Sequence, residues 1–289
     1  MVQKAIEKAA TLIEALPYIQ RFRGETVVVK FGGSILEDPR NYEHIIRDIA
    51  FMEVVGMRPI LIHGGGKAIS RRMKEGGLAS RFIQGLRVSD AATIEVVEQV
   101  LNHEVNPALV ATLNKTCNAT GVHGNDLIQV EKYTGTDEAG QPIDWEYVGQ
   151  VTQVNVQPLN ELLDRNTVPI VTPLGRGPDG HTYNVNADEA AGAVAREIGA
   201  RKLVFLSDVP GILADIDNPE SIISSLRVKE VEELIARGVI ADGMMPKVNG
   251  AIKAIHAGIK KTHIIDASLP HSLLLELFTD KGVGTEILA

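Results

Sequence analysis

The sequence predicts an α/β fold in which helices flank a mostly parallel central sheet. Short apolar runs rich in Val, Ile and Leu recur along the chain, and such runs suit strands that are buried on both faces of a parallel sheet. Helical patterns lie between them. This alternation of strands with helices is typical of layered α/β proteins.

The individual elements follow in chain order. An apolar stripe with steps of three and four residues, from Val2 to Leu16, predicts a helix over residues 2–22, which Pro17 should kink or end. Strands are predicted at 25–31, 58–63, 168–172, 202–207 and 262–266. Helices are predicted at 39–56, 67–76, 90–102, 105–116, 187–199, 229–237 and 247–258. Glycines and short alternating runs in residues 120–155 predict β-hairpins.

Length and composition limit the classes of protein to be considered. The 289 residues suggest about two domains, and a change of composition near residues 199–202 predicts a boundary between two lobes. The net charge of −8 argues against nucleic acid as the main partner, because nucleic-acid binding usually needs a basic face. Cys117 is the single cysteine and permits no intrachain disulfide, and no secretion signal or membrane span is evident. We therefore expect a cytoplasmic protein that does not enter a membrane.

Two glycine-rich turns, each at the end of a predicted strand, carry the strongest functional signal. They are Lys30-Phe31-Gly32-Gly33-Ser34 and His63-Gly64-Gly65-Gly66-Lys67. Backbone without side chains presents N–H groups, and an anion such as phosphate is their natural guest. Lys30 ends an apolar strand, where an ammonium without a partner would be costly. The turns predict an anion site, and a tight turn beside a surface lysine is the alternative. His63 is more readily a core histidine than a catalytic one.

A second lysine, Lys247, stands in the motif 242–247 and follows Pro246 at the start of a predicted helix. A lysine at a helix N-terminus opposes the helix dipole. The placement makes sense if the lysine and the helix end share an anion.

Three further motifs contain polar residues beside predicted helices or strands. Arg87 precedes a helix whose N-cap is Ser89 or Asp90, and it suits bidentate capture of a carboxylate, although a solvated arginine is the simpler interpretation. Asn184, Asn186 and Asp188 supply more polar groups than one N-cap needs, which favours a site. The turn 207–213 follows a strand at the sheet edge where α/β folds bind ligands. Asp208 either orders this turn or touches a nucleotide.

Six motifs together resemble the amino acid kinase family, in the order that the family uses. They are Lys-Phe-Gly-Gly, Ile-His-Gly-Gly-Gly, Gly-Leu-Arg-Val, Asn-Val-Asn-Ala-Asp, Ser-Asp-Val-Pro-Gly-Ile-Leu and Gly-Met-Met-Pro-Lys. The resemblance runs from about residue 25 to the C-terminus. It implies a three-layer αβα sandwich around a mostly parallel central sheet, with two lobes. Residues 24–199 would then bind the acceptor substrate and form dimers, and residues 200–289 would bind the nucleotide.

The resemblance also implies an activity, namely phosphoryl transfer from ATP to the side-chain carboxylate of N-acetyl-L-glutamate in arginine biosynthesis. By likeness, Lys30 and Lys247 stabilise the moving phosphoryl group, and Asp188 holds both lysines. Backbone N–H groups of Gly33 and Gly65 would bind phosphoryl oxygens. The implied acceptor site is Gly65, Gly66, Arg87 and Asn184; the implied phosphoryl and nucleotide site is Gly32, Gly33, Ser207, Asp208, Gly211, Leu213 and Met245. Mg²⁺ would be bound through the nucleotide phosphates, without metal ligands from the protein.

The two ends of the chain resemble the arginine-inhibited branch of the family. In that branch, a helix like residues 1–23 joins dimers into a hexamer, a trimer of dimers. The stretch 271–285 resembles the effector region of the same branch, which implies arginine as an inhibitor bound near Glu276, Gly282 and Gly284. A PII-type regulatory protein is left open as a further partner.

Two alternatives stay open at this point. The first is a kinase for an acylated 2-aminoadipate, because one methylene is worth only ~1–3 kcal/mol of discrimination. The second is a non-catalytic amino-acid or nucleotide sensor on the same fold. The presence of Lys30, Lys247 and Asp188 argues against a sensor, which has no need to retain them.

Overall fold

A computed structural model describes residues 2–37, 39–83, 85–136, 140–215, 218, 221–240, 244–279 and 282–289. Residues 242–243 of the motif around Lys247, and residues 137–139 of the predicted hairpin region, lie outside the described residues. The helices are α1 Val2–Phe22, α2 Pro39–Val54, α3 Gly66–Glu75, α4 Ala91–Val100, α5 Asn106–Leu113, α6 Gln157–Leu163, α7 Ala187–Glu197, α8 Val228–Ala236, α9 Met245–His256 and α10 Ser272–Leu277. The strands are β1 Thr26–Phe31, β2 Arg58–His63, β3 Phe82–Ile83, β4 Leu86–Arg87, β5 Ala119–Val122, β6 Ile128–Thr136, β7 Pro142–Val154, β8 Val168–Val171, β9 Leu174–Arg176, β10 Thr182–Val185, β11 Lys202–Ser207, β12 Ser225–Arg227, β13 Lys261–Asp266 and β14 Thr285–Leu288.

The central sheet confirms the predicted, mostly parallel α/β fold. Its eight strands have the order β12-β14-β13-β11-β1-β2-β8-β5. Of these neighbours, β13 and β14 are antiparallel, and the other described pairs are parallel. Strands β8 and β11 are buried at every residue, as expected for strands covered on both faces. Because β1 pairs with β11, one sheet continues across the proposed lobe boundary near residue 200.

Alternation along β1 sends its side chains into two separate cores. Val28 packs in one core with Val194 of α7 and Val248 of α9. Val29 packs in the other core with Ile49 of α2. Helices therefore cover both faces of the sheet, and the three-layer αβα arrangement is confirmed.

The N-terminal helix spans Val2–Phe22, which confirms the predicted helix, and of the two expectations for Pro17 the one that it ends the helix is wrong. A proline inside a helix removes one hydrogen bond to the carbonyl group four residues earlier. That carbonyl belongs to Ile13, which is exposed to solvent, and water can replace the lost donor. The apolar stripe also stays exposed, including Val2 and Ile6.

The segment after residue 90 differs from the prediction of two separate helices. Helices α4 and α5 are joined without a break by a turn of π-helix, Leu101–Val105. The sequence pattern did not reveal this turn, because a π-helix preserves an apolar face while shifting its phase.

The predicted hairpin region does form a β-hairpin. Strands β6 and β7 are antiparallel, and with β9 and β10 they make a closed four-stranded barrel.

Cys117 is free and partly buried, and burial raises the pKa of its thiol to about 11. None of the helices that the structure describes combines the length and the apolar character needed to cross a bilayer.

Candidate active site

Lys30 lies near the end of β1, where strand alternation places it on the same face as Val28. This face is covered by α7 and α9. The Lys30 Nζ lies 2.8 Å from Oδ1 of Asp188, in the first turn of α7, and the two side chains are 18% and 16% exposed. The carboxylate supplies the partner that a largely buried ammonium needs.

Lys247 lies in the first turn of α9, directly after Pro246, as the sequence predicted. Its Nζ forms an ion pair with Asp208, in the turn after β11. The predicted contact of Asp188 with both lysines is therefore corrected: Asp188 pairs with Lys30, and Asp208 pairs with Lys247. The hydrogen bond from Lys247 lowers the pKa of the Asp208 carboxyl group. Asp208 thus contributes a charge to the site.

The two lysine–aspartate pairs line one small cavity of about 100 Å³. The other predicted residues on its wall are Gly32, Gly33 and Ser207. Gly33 has a φ of +77°, a conformation that glycine adopts without strain. The cavity therefore presents two fixed ammonium groups beside backbone that carries no side chains.

Helices α7 and α9, which position Asp188 and Lys247, cross at very close range. A Cβ atom on Gly192 would lie 3.3 Å from the Cβ of Ala254. A Cβ on Gly250 would lie 3.0 Å from the Cβ of Asp188. Small residues at the crossing allow both helix N-termini to reach the same cavity.

The two glycine turns also touch each other, backbone against backbone. The Gly64 N–H donates to the backbone oxygen of Phe31 at 2.8 Å. A Cβ on Gly32 would lie 3.3 Å from the Gly64 nitrogen, and a Cβ on Gly65 would lie 2.5 Å from Cδ2 of Leu101. A side chain at position 65 would therefore force the buried Leu101 side chain to move.

Arg87 is buried in β4, with 5% of its surface exposed, so the interpretation as a solvated arginine is wrong. Its Nη1 donates to Ser80 Oγ at 2.7 Å, and its Nη2 donates to Ser70 Oγ at 2.7 Å and to the Gly66 oxygen at 2.9 Å. The guanidinium also stacks on the Phe82 ring. Among the described residues, no carboxylate pairs with it. A buried cation without an anionic partner favours an anionic ligand.

Arg87 faces a second cavity, of about 150 Å³. The predicted acceptor residues Gly65, Gly66, Arg87 and Asn184 all line it. Gly64, which touches Gly32 of the first cavity, lies on its wall. The two cavities therefore adjoin at the contact between the glycine turns.

The two asparagines before α7 have different surroundings: one caps the helix, and the other lines the second cavity. Asn186 caps the helix, because its side chain accepts from the N–H groups of Asp188 and Glu189. Asn184 lines the second cavity, where its Nδ2 donates to Ser89 Oγ at 3.2 Å. The interpretation as a simple N-cap thus accounts for only one of the three predicted residues. Farther upstream, Asp90 is the N-cap of α4.

Three residues predicted for the nucleotide lie outside both small cavities. Met245 lines a larger cleft of about 700 Å³ together with Asp188. Gly211 packs against Thr285, whose Oγ1 would lie 2.7 Å from a Cβ at that position. Leu213 forms an isolated β-bridge with Ile222. The structure therefore places Ser207 and Asp208 at the cavity that contains the two lysines, but not Gly211 or Leu213.

The predicted effector residues come together at the other end of the sheet. Glu276 is buried and accepts a hydrogen bond from the Val283 N–H at 3.0 Å. A Cβ on Gly282 would lie 2.5 Å from Glu276 Oε2. With Gly284, these residues line a cavity of about 570 Å³ that also includes Tyr18 and Arg21 of α1.

His63, at the end of β2, is completely buried. Its Nδ1 lies 2.8 Å from the Gly64 oxygen, and its Nε2 lies 3.1 Å from Nδ2 of Asn106. Burial lowers the pKa of His63 to about 4, so the ring is neutral at pH 7. The sequence had indicated a core histidine but gave no sign of Asn106.

Acidification should destabilise the fold through His63. The unfolded chain has an ordinary histidine pKa near 6.5, whereas the folded pKa is about 4. Between these values the unfolded state binds a proton that the folded state does not. The contribution of His63 to stability is therefore fully present above pH 6.5 and is lost as the pH falls toward 4. At pH 5 we expect the free energy of unfolding to be lower by about 2 kcal/mol. Urea denaturation of the wild type and of His63→Asn, at pH 7 and pH 5, measures it. An equal decrease in the free energy of unfolding of both proteins would contradict the assignment of this pH dependence to His63.

Comparison with known proteins supplies independent evidence. The model of the amino acid kinase family matches residues 25–266. The chain is 47% identical over 292 residues to the acetylglutamate kinase of Heliobacterium modesticaldum, a match that covers 99% of each chain. It is also 47% identical over 294 residues to the acetylglutamate kinase of Moorella thermoacetica, covering 100% of this chain and 99% of that one.

Solved structures agree with the fold. N-acetylglutamate synthase from Neisseria gonorrhoeae, complexed with coenzyme A and N-acetyl-glutamate, has a TM-score of 0.84 and 28% identity. The match covers 97% of this chain and 63% of the synthase chain, so this chain spans less than two thirds of the synthase. Carbamate kinase from Giardia lamblia bound to AMP-PNP has a TM-score of 0.64 at 18% identity and covers 92% of this chain and 98% of that one. At that identity the likeness shows the fold alone.

Proposed function

This chain belongs to the amino acid kinase family, and on that premise we propose that it transfers the terminal phosphoryl group of ATP to the side-chain carboxylate of N-acetyl-L-glutamate, as a cytoplasmic enzyme of arginine biosynthesis. The observation that carries the proposal is the pair of adjoining cavities. One contains two ammonium groups beside glycine backbone, which suits a moving phosphoryl group. The other contains the buried guanidinium of Arg87, which suits a carboxylate of an acidic acceptor.

The chemistry needs positioning and electrostatics more than covalent help. A carboxylate acceptor is ionised at neutral pH and requires no general base. The main obstacle is repulsion between the acceptor carboxylate and the phosphates. Lys30 and Lys247, held by Asp188 and Asp208, offset that repulsion from fixed positions. The N-termini of α7 and α9 add the positive ends of two helix dipoles.

ATP would bring Mg²⁺ with it. Within the described part of the chain, no group of three His, Cys, Asp or Glu side chains could hold a metal, and Asp188 and Asp208 are both paired with lysines. This donor set fits a metal that is held mainly by phosphate oxygens. Mg²⁺ bound in that way neutralises part of the phosphate charge.

The substrate can be tested by ADP release from MgATP with three acceptors. We expect turnover with N-acetyl-L-glutamate and slower turnover with the N-acetyl derivatives of aspartate and 2-aminoadipate, because one methylene changes kcat/KM by about 10- to 200-fold. A pyruvate kinase–lactate dehydrogenase assay measures ADP. Faster turnover of the aminoadipate derivative would identify a kinase for the longer acceptor. No ADP release with any acceptor would favour a sensor.

We propose in addition that arginine inhibits the enzyme from the cavity that contains Glu276. The buried carboxylate of Glu276 and the half-buried carboxylate of Glu286 both line this cavity, where His263 and Lys261 are their partners in this structure. A guanidinium is the cation best matched to such carboxylates.

A role of α1 in assembly is supported by its exposed apolar stripe, which includes Val2, Ile6 and Ile13. Deletion of residues 1–22 is expected to reduce a hexamer to dimers, because the stripe that would join the dimers is removed. It should also weaken arginine inhibition, since Tyr18 and Arg21 line the effector cavity. Light scattering after size exclusion measures the mass, and Gln3→Ala on the same helix is the control. An unchanged mass after deletion would contradict this role.

A further inference from the structure

A chain of three hydrogen bonds lies beneath the second glycine turn. Asn106, the first residue of α5, donates from Nδ2 to the backbone oxygen of Ile170 at 2.8 Å. The same nitrogen lies 3.1 Å from Nε2 of His63. At the other side of the ring, His63 Nδ1 lies 2.8 Å from the oxygen of Gly64. His63 and Asn106 are both buried, so these hydrogen bonds are shielded from water.

The groups at the two ends of this series of hydrogen bonds determine the position of each proton. The Ile170 oxygen only accepts, so the Asn106 atom beside it is the amide nitrogen. That nitrogen only donates, and the neutral His63 ring therefore accepts at Nε2. The ring proton must then be on Nδ1, which donates to the Gly64 oxygen. Burial lowers the pKa of His63 to about 4, so the ring stays neutral at physiological pH, and its two hydrogen bonds select the Nδ1-protonated tautomer.

The direction of the Gly64 carbonyl group determines where the next N–H points. In a trans peptide, the C=O of one residue and the N–H of the next point in opposite directions. With the Gly64 oxygen held below the turn, the Gly65 N–H points away from His63, toward the cavity that Gly64, Gly65 and Gly66 line. Within the described residues, this N–H has no hydrogen-bond partner.

We propose that His63 is a positioning residue, which holds the Gly64 carbonyl group so that the Gly65 N–H is directed at an oxygen of the reacting groups. The inference rests on the proposed phosphoryl transfer, for which it supplies the orientation of one backbone donor. His63 does not touch the reactants. Asn106 acts one step farther away, because it determines which ring nitrogen carries the proton.

A different interpretation is that His63 and Asn106 only satisfy each other inside the core. Their replacement would then reduce stability, and all variants of similar stability would have similar turnover. Two substitutions of His63 separate the interpretations, because each amide side chain reproduces one ring nitrogen. Asparagine places its nitrogen near the position of Nδ1, and glutamine places its nitrogen near the position of Nε2.

The kinetic experiment compares His63→Asn with His63→Gln, using the acceptor that gives turnover with the wild type. His63→Asn retains the donor to Gly64, and we expect kcat within about fivefold of the wild type. His63→Gln lacks that donor, and we expect kcat to fall about 100-fold, the usual cost of losing one preorganised donor, with KM for ATP unchanged. Thermal melts establish that both variants are folded. Equal kcat values for the two variants, whether high or low, would overturn the proposal.

A spectroscopic experiment tests the arrangement even if the proposed reaction is wrong. Solid-state ¹⁵N spectra of the histidine-labelled protein should contain one neutral, Nδ1-protonated ring that His63→Asn removes, among eight histidines. Asn106→Asp replaces the donor by an acceptor, so the proton should move to Nε2 and kcat should fall with it. An Nε2-protonated His63 in the wild type would overturn the proposal. Absence of kinase activity in the wild type, with the expected spectrum, would reject the proposed function but not the tautomer.

Discussion

Replacement of Lys30 by methionine is expected to lower kcat by about 10²- to 10³-fold, with KM for both substrates changed much less. Methionine fills much of the space of the lysine stem but carries no charge. The lost interaction is with charge that develops on the phosphoryl group, so the effect belongs to the transition state rather than to binding. Steady-state kinetics with MgATP and N-acetyl-L-glutamate separates the two parameters.

Two controls make the Lys30 result specific. Lys132→Met removes an exposed lysine that pairs with Asp144 on the β6–β7 hairpin, and its kcat should be close to that of the wild type. The double variant Lys30→Met/Asp188→Asn removes both charges of the buried pair, so it should regain stability and stay inactive. Turnover of Lys30→Met within a few-fold of the wild type would remove Lys30 from the mechanism.

Substitution of Arg87 by lysine is expected to raise KM for the acceptor by about 30- to 100-fold while KM for ATP stays constant. A lysine retains the positive charge but lacks the planar fork with which Arg87 is proposed to bind the acceptor carboxylate. This factor corresponds to about 2–2.7 kcal/mol, which is within the range expected for the loss of one charge-assisted hydrogen bond.

The control for Arg87 is Arg81→Lys. Arg81 precedes the same β3–β4 hairpin, and its side chain is exposed. Its kinetic parameters should not change, and thermal melts show whether the buried substitution has altered the fold. An Arg87→Lys variant that is stable and has an unchanged KM for the acceptor would assign the carboxylate to another residue.

Central strands were the easiest elements to predict, because complete burial leaves an uninterrupted apolar run. The predicted 58–63 and 202–207 coincide with β2 and β11. Strand β12 at the edge of the sheet and its neighbour β14 were missed, since strands of three and four residues leave almost no pattern. The π-turn Leu101–Val105 was missed because its signal is a change of phase inside one continuous helix.

The sequence indicated candidate site residues most clearly where a residue was out of place in its own segment, as with Lys30 in an apolar strand. The side chains with which these residues form ion pairs and hydrogen bonds were harder to predict. The pairing of Lys247 with Asp208 joins residues 39 positions apart, and no local pattern announces it. Arg87 was harder still, because its burial depends on Ser70, Ser80 and Phe82 closing around it. Tertiary structure alone brings such groups together.

The crossing of α7 and α9 limits how the proposed active site can open and close. At Gly192 and Gly250 the two helices are separated by little more than a van der Waals contact, and this interface cannot close further. We expect any opening of the cleft to rotate about the crossing, with larger displacements at distant walls such as the β3–β4 hairpin. Asp188 and Lys247 lie close to that axis, so the charges that serve the reaction would hardly move while substrates enter and products leave.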